Sequence, residues 1–394
     1  MLEQKVLDYI HGHEQEAREL LITLAQIPSP SNHEEKRADF CRKWLEERGA
    51  EGVFIDEALN VVYPIAVTKD NPVVVFMAHT DVVFPDTTPL PLKVEDGRIC
   101  CPGAGDDTAN LVCLLMIAGY LTETGLAKQL EAEAAAGTQS HGLVLVCNSG
   151  EEGPGNLKGS RKICETYGKR IREFYSFDGG MSSLVAHAVG SKRLRIGVRT
   201  IGGHSYSSFG NPNAIAQLSE LIHTLYQIQV PAQGKTTYNV GMISGGTSVN
   251  TIAQSAEMLY EFRSDSREGL AYMEEQFEAV IEDMKSRGVE IETEIVGLRP
   301  CEGDVDRLVQ DRMIRLASDT IEEYTGSAPE QHPGSTDCNI PLSMGIPSLC
   351  LGTYEGGGAH TREEYVVIDS LLPGYRIGFQ MVLNYCGHGV EKQS

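Results

Sequence analysis

At 394 residues the chain exceeds one ordinary core, and a typical domain of roughly 150 residues implies two or three. Hydrophobic residues make up 41% and charged residues 22%, the balance of a globular chain and not of a disordered or membrane one. The net charge of -22 excludes nucleic acid as a partner, whose phosphates would be repelled, and suits cations or metals. No apolar run approaches the roughly 18 residues of a membrane span. The first residues mix charge with apolar side chains and lack a signal peptide's apolar core, so a cytoplasmic protein with no membrane partner is expected. The ten cysteines are scattered without a Cys-x-x-Cys pair, several of them inside apolar runs, which argues against disulfides and assigns Cys100 and Cys101 no role.

In chain order, residues 5–25 carry Val6, Leu7, Ile10, Leu20, Leu21 and Leu24 among charges, which predicts an amphipathic helix ended by the Pro and Ser residues at 28–31. A second helix is predicted over 34–48, before Gly49, a residue suited to a left-handed cap. Strands follow at 61–67 and 73–78. The second of these stops at His79 and Asp81, and in an open α/β sheet ligands bind where strands release the chain at the carboxyl edge. Residues 106–121 read as a buried helix, apolar nearly all round, with Asp106 at its N-terminus facing outward. Residues 126–141 read as a solvated helix end and loop. Three further strands end in polar residues: 142–150 runs into Glu151 and Glu152, 174–177 into Asp178, and 347–352 leads through three glycines to His360.

From about residue 190 the texture changes. Alternating strands are predicted near 192–201, 238–244, 256–262 and 289–296, with helices at 214–228 and 268–287, a β-α-β-β-α-β order with the ferredoxin-like signature. The expected fold is therefore α/β, a mixed sheet with helices on both faces, interrupted by an inserted α+β domain. The boundaries fall at 1–189 and 302–394 for the two parts of the first domain and 190–301 for the insertion.

The polar strand ends and the helix start gather His79, Asp81, Asp106, Glu151, Glu152, Asp178 and His360. Two imidazoles and several carboxylates without a thiol suit zinc, with cobalt or manganese as alternatives. If two of the seven serve as base and orienting acid, five ligands remain, more than the three of one open catalytic zinc. A pair of metals sharing one carboxylate accounts for the surplus and would hold a hydroxide between them to attack a carbonyl. Of the adjacent Glu151 and Glu152, one would bind metal and the other move a proton. Asp81 reads as the carboxylate that orients His79, since a ligating His donates its other ring N–H to such a partner.

The chain resembles the di-zinc exopeptidase and amidohydrolase superfamily that contains peptidase T, glutamate carboxypeptidases, aminoacylase, acetylornithine deacetylase and succinyl-diaminopimelate desuccinylase. The motifs that carry the likeness are Ala78-His79-Thr80-Asp81, Gly103-Ala104-Gly105-Asp106-Asp107, Ser149-Gly150-Glu151-Glu152-Gly153, Phe177-Asp178-Gly179, Gly202-Gly203-His204-Ser205 and Gly358-Ala359-His360-Thr361-Arg362-Glu363-Glu364. Each is short, but six in one order are specific. The resemblance implies a zinc-exopeptidase-like fold whose insertion is a lid and dimerisation domain. It implies two zinc ions, one on His79 and Asp178, the other on Glu152 and His360, with Asp106 shared. Glu151 falls at the general base and Asp81 at the orienting acid. His204 matches a lid histidine that reaches a neighbouring subunit's site to stabilise the oxyanion. Asn250 and Arg263 match lid positions that meet a substrate carboxylate, and Ser335 and Asp337 lie in a loop resembling one that lines the cleft. Many relatives have Lys-Gly or Lys-Ala after the two acids, where Thr108-Ala109 stands here, which bears on substrate preference and not on the metals.

Taken singly, each carboxylate also reads as a helix cap or solvated turn, Arg263 as a surface salt bridge and Asn250 as part of a turn. His11, His13 and His33 are expected to face solvent, and His141, His187, His223, His332 and His388 to be structural. There is no His-Glu-x-x-His, no Gly-x-x-x-x-Gly-Lys loop and no Gly-x-Ser-x-Gly elbow. The expected function is a terminal peptide-bond hydrolase of short peptides, working as a homodimer. The alternatives are an N-acyl amino acid deacylase, which would use the same residues, and a non-catalytic member that keeps the fold.

Overall fold

The computed structural model describes residues 1–390. The chain divides into two compact units, Met1–His187 together with the chain from Gly303 onward, and Ala188–Glu302.

In the first unit an eight-stranded sheet is built around four strands, β1 (Val73–His79), β2 (Gly142–Asn148), β3 (Ile171–Phe177) and β4 (Ser348–Leu351), adjacent in the order β2-β1-β3-β4. All pair in parallel, so their carboxyl ends share one edge. Every residue of β1 and β2 is buried, and the sequence runs Val-Val-Val-Phe-Met-Ala and Leu-Val-Leu-Val-Cys show why: a parallel strand covered on both faces reads as continuous apolar sequence, not as alternation. The sheet is mixed because antiparallel strands flank this centre, Val61–Ile65 beside β2 and Ser183–Ala188 beside β4. Helices α1 (Glu35–Glu47), α2 (Asn110–Glu123) and α3 (Ile368–Leu383) belong to the same core, and α2 is buried from Asn110 through Leu121. At Gly374 the helix α3 lies so close to Thr353 that a Cβ would meet its carbonyl oxygen at 1.6 Å.

Two expected helices differ in detail. Residues 5–25 form two helices, Gln4–Gly12 and Glu14–Ala25, parted at His13, whose ring stacks on Tyr9 at 3.8 Å. The helix expected from Asp106 begins at Asn110 instead. Asp106 (φ -96, ψ 95) and Asp107 (φ -121, ψ 17), joined by a cis peptide bond, are not helical. Their carboxylates find partners across the sheet edge that a helical first turn would not give them, the competition that keeps Asp out of helix interiors.

The second unit has the β-α-β-β-α-β order, with strands Gly190–Arg199, Thr236–Gly245, Ser255–Ser264 and Glu290–Arg299 and helices Ala214–Leu225 and Arg267–Ser286. The strands lie in the spatial order second, third, first, fourth, and all neighbours are antiparallel. Alternation decides the faces. Leu194, Ile196 and Val198 join Leu218, Leu221, Phe262 and Phe277 in one core, while Arg195 and Arg199 point the other way. Side chains cap both helices, Asn213 accepting from Ile215 N–H at 2.9 Å and Ser266 from Gly269 N–H at 2.9 Å.

No single helix among the described residues is long and apolar enough to cross a membrane.

Candidate active site

The shared edge of β1 to β4 is where the chain concentrates its polar residues. β1 ends on His79, a side chain almost wholly buried. Its Nδ1 lies 3.0 Å from the backbone carbonyl of Asp81 and 3.5 Å from that residue's carboxylate, which leaves Nε2 facing Asp106 Oδ1 at 3.1 Å. The other oxygen of Asp106 lies 3.0 Å from His360 Nε2. One carboxylate thus spans two imidazoles that come from opposite ends of the sequence. Glu152 Oε1 lies 3.5 Å from the same His360 nitrogen.

Asp81 does more than face the imidazole. Its two oxygens accept the backbone N–H groups of Glu151 at 3.0 Å and Glu152 at 3.1 Å, and Ser31 Oγ donates at 2.7 Å. Asp81 therefore holds the ring of His79 chiefly through its backbone carbonyl, and the backbone of the two glutamates through its buried carboxylate. Asp107 is fully buried: its Oδ2 accepts His79 N–H at 2.8 Å and its Oδ1 accepts Asn110 Nδ2 at 2.7 Å. Asn110, the first residue of α2, also donates to Gly179 O at 3.0 Å and accepts the N–H and hydroxyl of Thr353, both at 2.7 Å. It ties together the segments that follow β3 and β4.

Beneath this layer lies Arg37 of α1, fully buried, donating to Ile27 O at 2.9 Å, Thr80 O at 3.0 Å and Thr108 Oγ1 at 3.1 Å. Burial pulls its guanidinium down to about 10, against the pull of nearby anions that include Asp81 and Asp107. Thr108, in the segment that leads into α2, is thus the partner of a buried cation carried by α1.

The electrostatics are those of an anionic pocket short of positive charge. Burial first, then the charge of Asp106, raises the Asp178 carboxyl well above its usual range. Burial raises Glu152 to about 7 despite its contact with His360. Burial would raise Asp106 as well, but the hydrogen bonds with His360 and His79 outweigh it and hold it low. The neighbouring carboxylates, Asp106 first and then Glu152, carry His360 up to about 10.

Three groups of side chains have donor atoms within 4.8 Å of one another: His79, Asp106, Asp107 and Asp178; His79, Glu151 and Glu152; and Asp106, Glu152 and His360. All donors are nitrogen or carboxylate oxygen, and Glu152 Oε1 is buried without a hydrogen-bond donor, so the residues present fit divalent metal ions. Asp107, which the sequence reading left without a role, joins the first group.

The remaining candidates separate. Asp337 does not line an open cleft: it is fully buried, receives Asn148 Nδ2 at 2.5 Å, and is raised to about 8 by burial and then by the charge of Glu151. The loop folds this residue inward because Ser160 Oγ donates to its backbone carbonyl at 2.7 Å. Ser335, two residues earlier, is half-buried. In the second unit His204 and Asn250 are brought together by a short antiparallel ribbon, Gly203 opposite Ile252 and His204 opposite Thr251, with Ser205 N–H donating to Asn250 O at 3.0 Å. Both side chains are exposed. Arg263 is held by Glu261, with both contacts at 3.1 Å.

Residues 75–384 match the family model described as "Peptidase family M20/M25/M40". An acetylornithine deacetylase of Myxococcus xanthus is 24% identical over 79% of this chain and 80% of its own length. Among solved structures, a tripeptidase of Staphylococcus aureus shares the fold with a TM-score of 0.73 at 21% identity, covering 95% of this chain and 99% of that one. A dinuclear metal-binding peptidase of Bacillus subtilis does so with a TM-score of 0.63 at 17% identity, covering 95% and 99%. A family match across most of the chain, on a sheet edge whose nitrogen and oxygen donors suit metal ions, makes this chain a member of peptidase family M20/M25/M40, a metallohydrolase of the peptidase or deacylase kind.

Proposed function

We propose that the protein is a di-zinc hydrolase that cleaves the terminal peptide bond of short peptides. The observation that carries this reading is the carboxylate of Asp106, whose two oxygens face His79 Nε2 at 3.1 Å and His360 Nε2 at 3.0 Å, as a shared ligand must. His79 and Asp178 would hold one ion and Glu152 and His360 the other; cobalt or manganese would suit the same donors. Bound there, the metal pair would polarise the scissile carbonyl and acidify the attacking water.

The chain's own residues do the rest. Glu151 takes the proton of the attacking water and returns it to the leaving amine. Asp81 keeps His79 oriented and, through the two backbone amides it holds, keeps Glu151 and Glu152 in register. His204 donates to the oxyanion, and the backbone N–H of Tyr206, 3.2 Å from its Nδ1, favours the tautomer with the proton on Nε2. Asn250, Arg263 and Ser335 bind the substrate's polar groups. Asp337 acts from behind, through its hydrogen bond from Asn148, without touching substrate.

The second unit serves as lid and pairs two chains, each lending His204 to its neighbour. Exposed Met242 and Ile243 on the edge strand Thr236–Gly245 support that pairing. A cytoplasmic location is supported by ten cysteines that are all free. A second reading, N-acyl amino acid deacylase, is favoured by the Myxococcus xanthus relative named for that activity.

The test combines metal analysis with turnover. Zinc reconstitution should give up to two ions per chain, chelation should abolish turnover, and di- and tripeptides should be cleaved faster than N-acyl amino acids. Faster cleavage of the acyl substrates would establish the second reading, and a maximum of one bound ion would remove the shared role of Asp106.

A further inference from the structure

The loop that carries Asp106 is held by a residue with no part in the chemistry above. Residues Tyr365–Val367 pair antiparallel with Arg98–Cys100, and Cys101 N–H donates to Glu364 O at 3.1 Å, which sets Glu364 beside the start of the loop at 101–106. Its carboxylate is buried there and accepts three backbone amides: Gly103 N–H at 2.7 Å, Gly105 N–H at 2.8 Å and Asp106 N–H at 2.8 Å. The loop is shaped to present them. Gly103 has φ +75, and a Cβ on Gly105 would come within 2.6 Å of the Tyr354 hydroxyl. Three amides of one short segment thus converge on a single carboxylate, and N–H bonds to such a group are strongest when it is ionised.

We infer that Glu364 is a positioning residue for the metal pair: by gripping the amides of Gly103, Gly105 and Asp106 from a point four residues beyond His360, it sets the Asp106 carboxylate against the His360 imidazole. The inference rests on the metal assignment proposed above and extends it to a residue that binds no metal. The 3.0 Å approach of Asp106 to His360 joins two segments remote in sequence, and Glu364 is the side chain that fixes the backbone of one to the backbone of the other. Removing a group that orients a ligand typically weakens metal binding by about 10- to 100-fold.

The experiment is calorimetric titration of the metal-stripped full chain with Co²⁺ for the unaltered protein, E364Q, E364D and E173Q. Gln would turn its NH₂ toward an amide that also donates; Asp keeps the buried charge but falls one methylene short. Both should bind Co²⁺ about 10- to 100-fold more weakly. E173Q disturbs another buried carboxylate, held by Arg312 and Tyr385, and should leave Co²⁺ affinity unchanged even if it lowers the melting temperature. Wild-type affinity in folded E364Q or E364D, beside two ions in the unaltered protein, overturns the inference and spares the metal assignment. Failure of the unaltered protein to bind a second ion overturns both. Should neither Glu364 variant fold, amide exchange in the metal-stripped unaltered protein decides: Gly105 and Asp106 should be protected, and exchange at the rate of an open loop overturns the clamp.

Discussion

Two surfaces of this protein are dense in charge, and they are built on opposite principles. On the outer face of the second unit's sheet, Arg193 and Arg263 meet Glu261, Arg195 meets Glu294 and Arg199 meets Glu292, in partly or largely exposed pairs. That face neutralises itself. At the carboxyl edge of the first unit's sheet, Asp81, Asp106, Asp107, Glu151, Glu152 and Asp178 converge on two imidazoles, most of them buried, and Asp178 and Glu152 are pushed toward their neutral forms. Burying anions without enough positive charge is costly unless a cation completes the set. The contrast teaches that the density of charge is uninformative; what marks a site is charge that the fold has removed from water and left short of a partner.

The largest effect should come from the one glutamate assigned to proton transfer. Glu151→Gln should cut turnover by roughly 100-fold or more, the usual worth of general acid–base assistance, with metal content intact. Glu152→Gln should lower metal occupancy instead. Steady-state kinetics and elemental analysis on the two variants separate the roles, and a reversed outcome would mean that base and ligand are exchanged.

The comparison also explains what the sequence made legible. Strand ends such as Met77-Ala78-His79 announce themselves because an apolar run stops at polar residues, and the parallel sheet then gathers those stops on one edge. The β-α-β-β-α-β order of the second unit was readable from alternation alone, with strand ends displaced by a few residues. Arg37 was not readable. It sits in Glu34-Glu35-Lys36-Arg37, a run that looks like a solvated helix face, and its burial depends on partners 43 and 71 residues away. Glu364 depends on an amide 258 residues away. The start of α2 was misplaced because acids before an apolar run look like a helix's first turn, whereas these acids are engaged across the sheet edge.

A smaller effect would sharpen the contrast through Asp337, a carboxyl buried behind the edge and faced by Glu151, His79, Asp81 and Asn148. Its carboxyl is raised to about 8 from the ordinary 3.8, so between those values the folded chain holds a proton that the unfolded chain has lost. Stability from this group is therefore fully present below about 3.8 and declines as pH rises toward 8. Asp337→Asn, close in shape to the protonated acid, should match the unaltered protein near pH 4 and exceed it above pH 8 by on the order of a few kcal/mol. Urea unfolding of the metal-stripped proteins across that range checks it; parallel pH profiles would show that the carboxyl is ionised in the fold.

Smaller again is Arg263→Ala. If the guanidinium meets a substrate carboxylate, KM should rise about tenfold for a free-acid dipeptide and stay unchanged for its amide, since Arg suits two parallel bonds to a carboxylate. Equal KM changes for acid and amide would return Arg263 to its pair with Glu261.

The smallest effect is expected from Arg195→Ala, and it tests the other half of the comparison. Arg195 stands opposite Glu294 in the sheet, 3.2 Å from its carboxylate, with about half of its side chain in water. Water screens the pair in both folded and unfolded chains, and holding two long side chains in one geometry costs entropy, so such pairs contribute about 0 to 1 kcal/mol. The variant should melt within a degree or two of the unaltered protein and turn over substrate at the same rate, with any difference shrinking as salt is raised. A loss of several degrees, or a fall in turnover, would mean that this face is desolvated in the working protein, covered by another chain or by substrate. The division between a self-neutralised surface and a charge-deficient site would then no longer separate the two units.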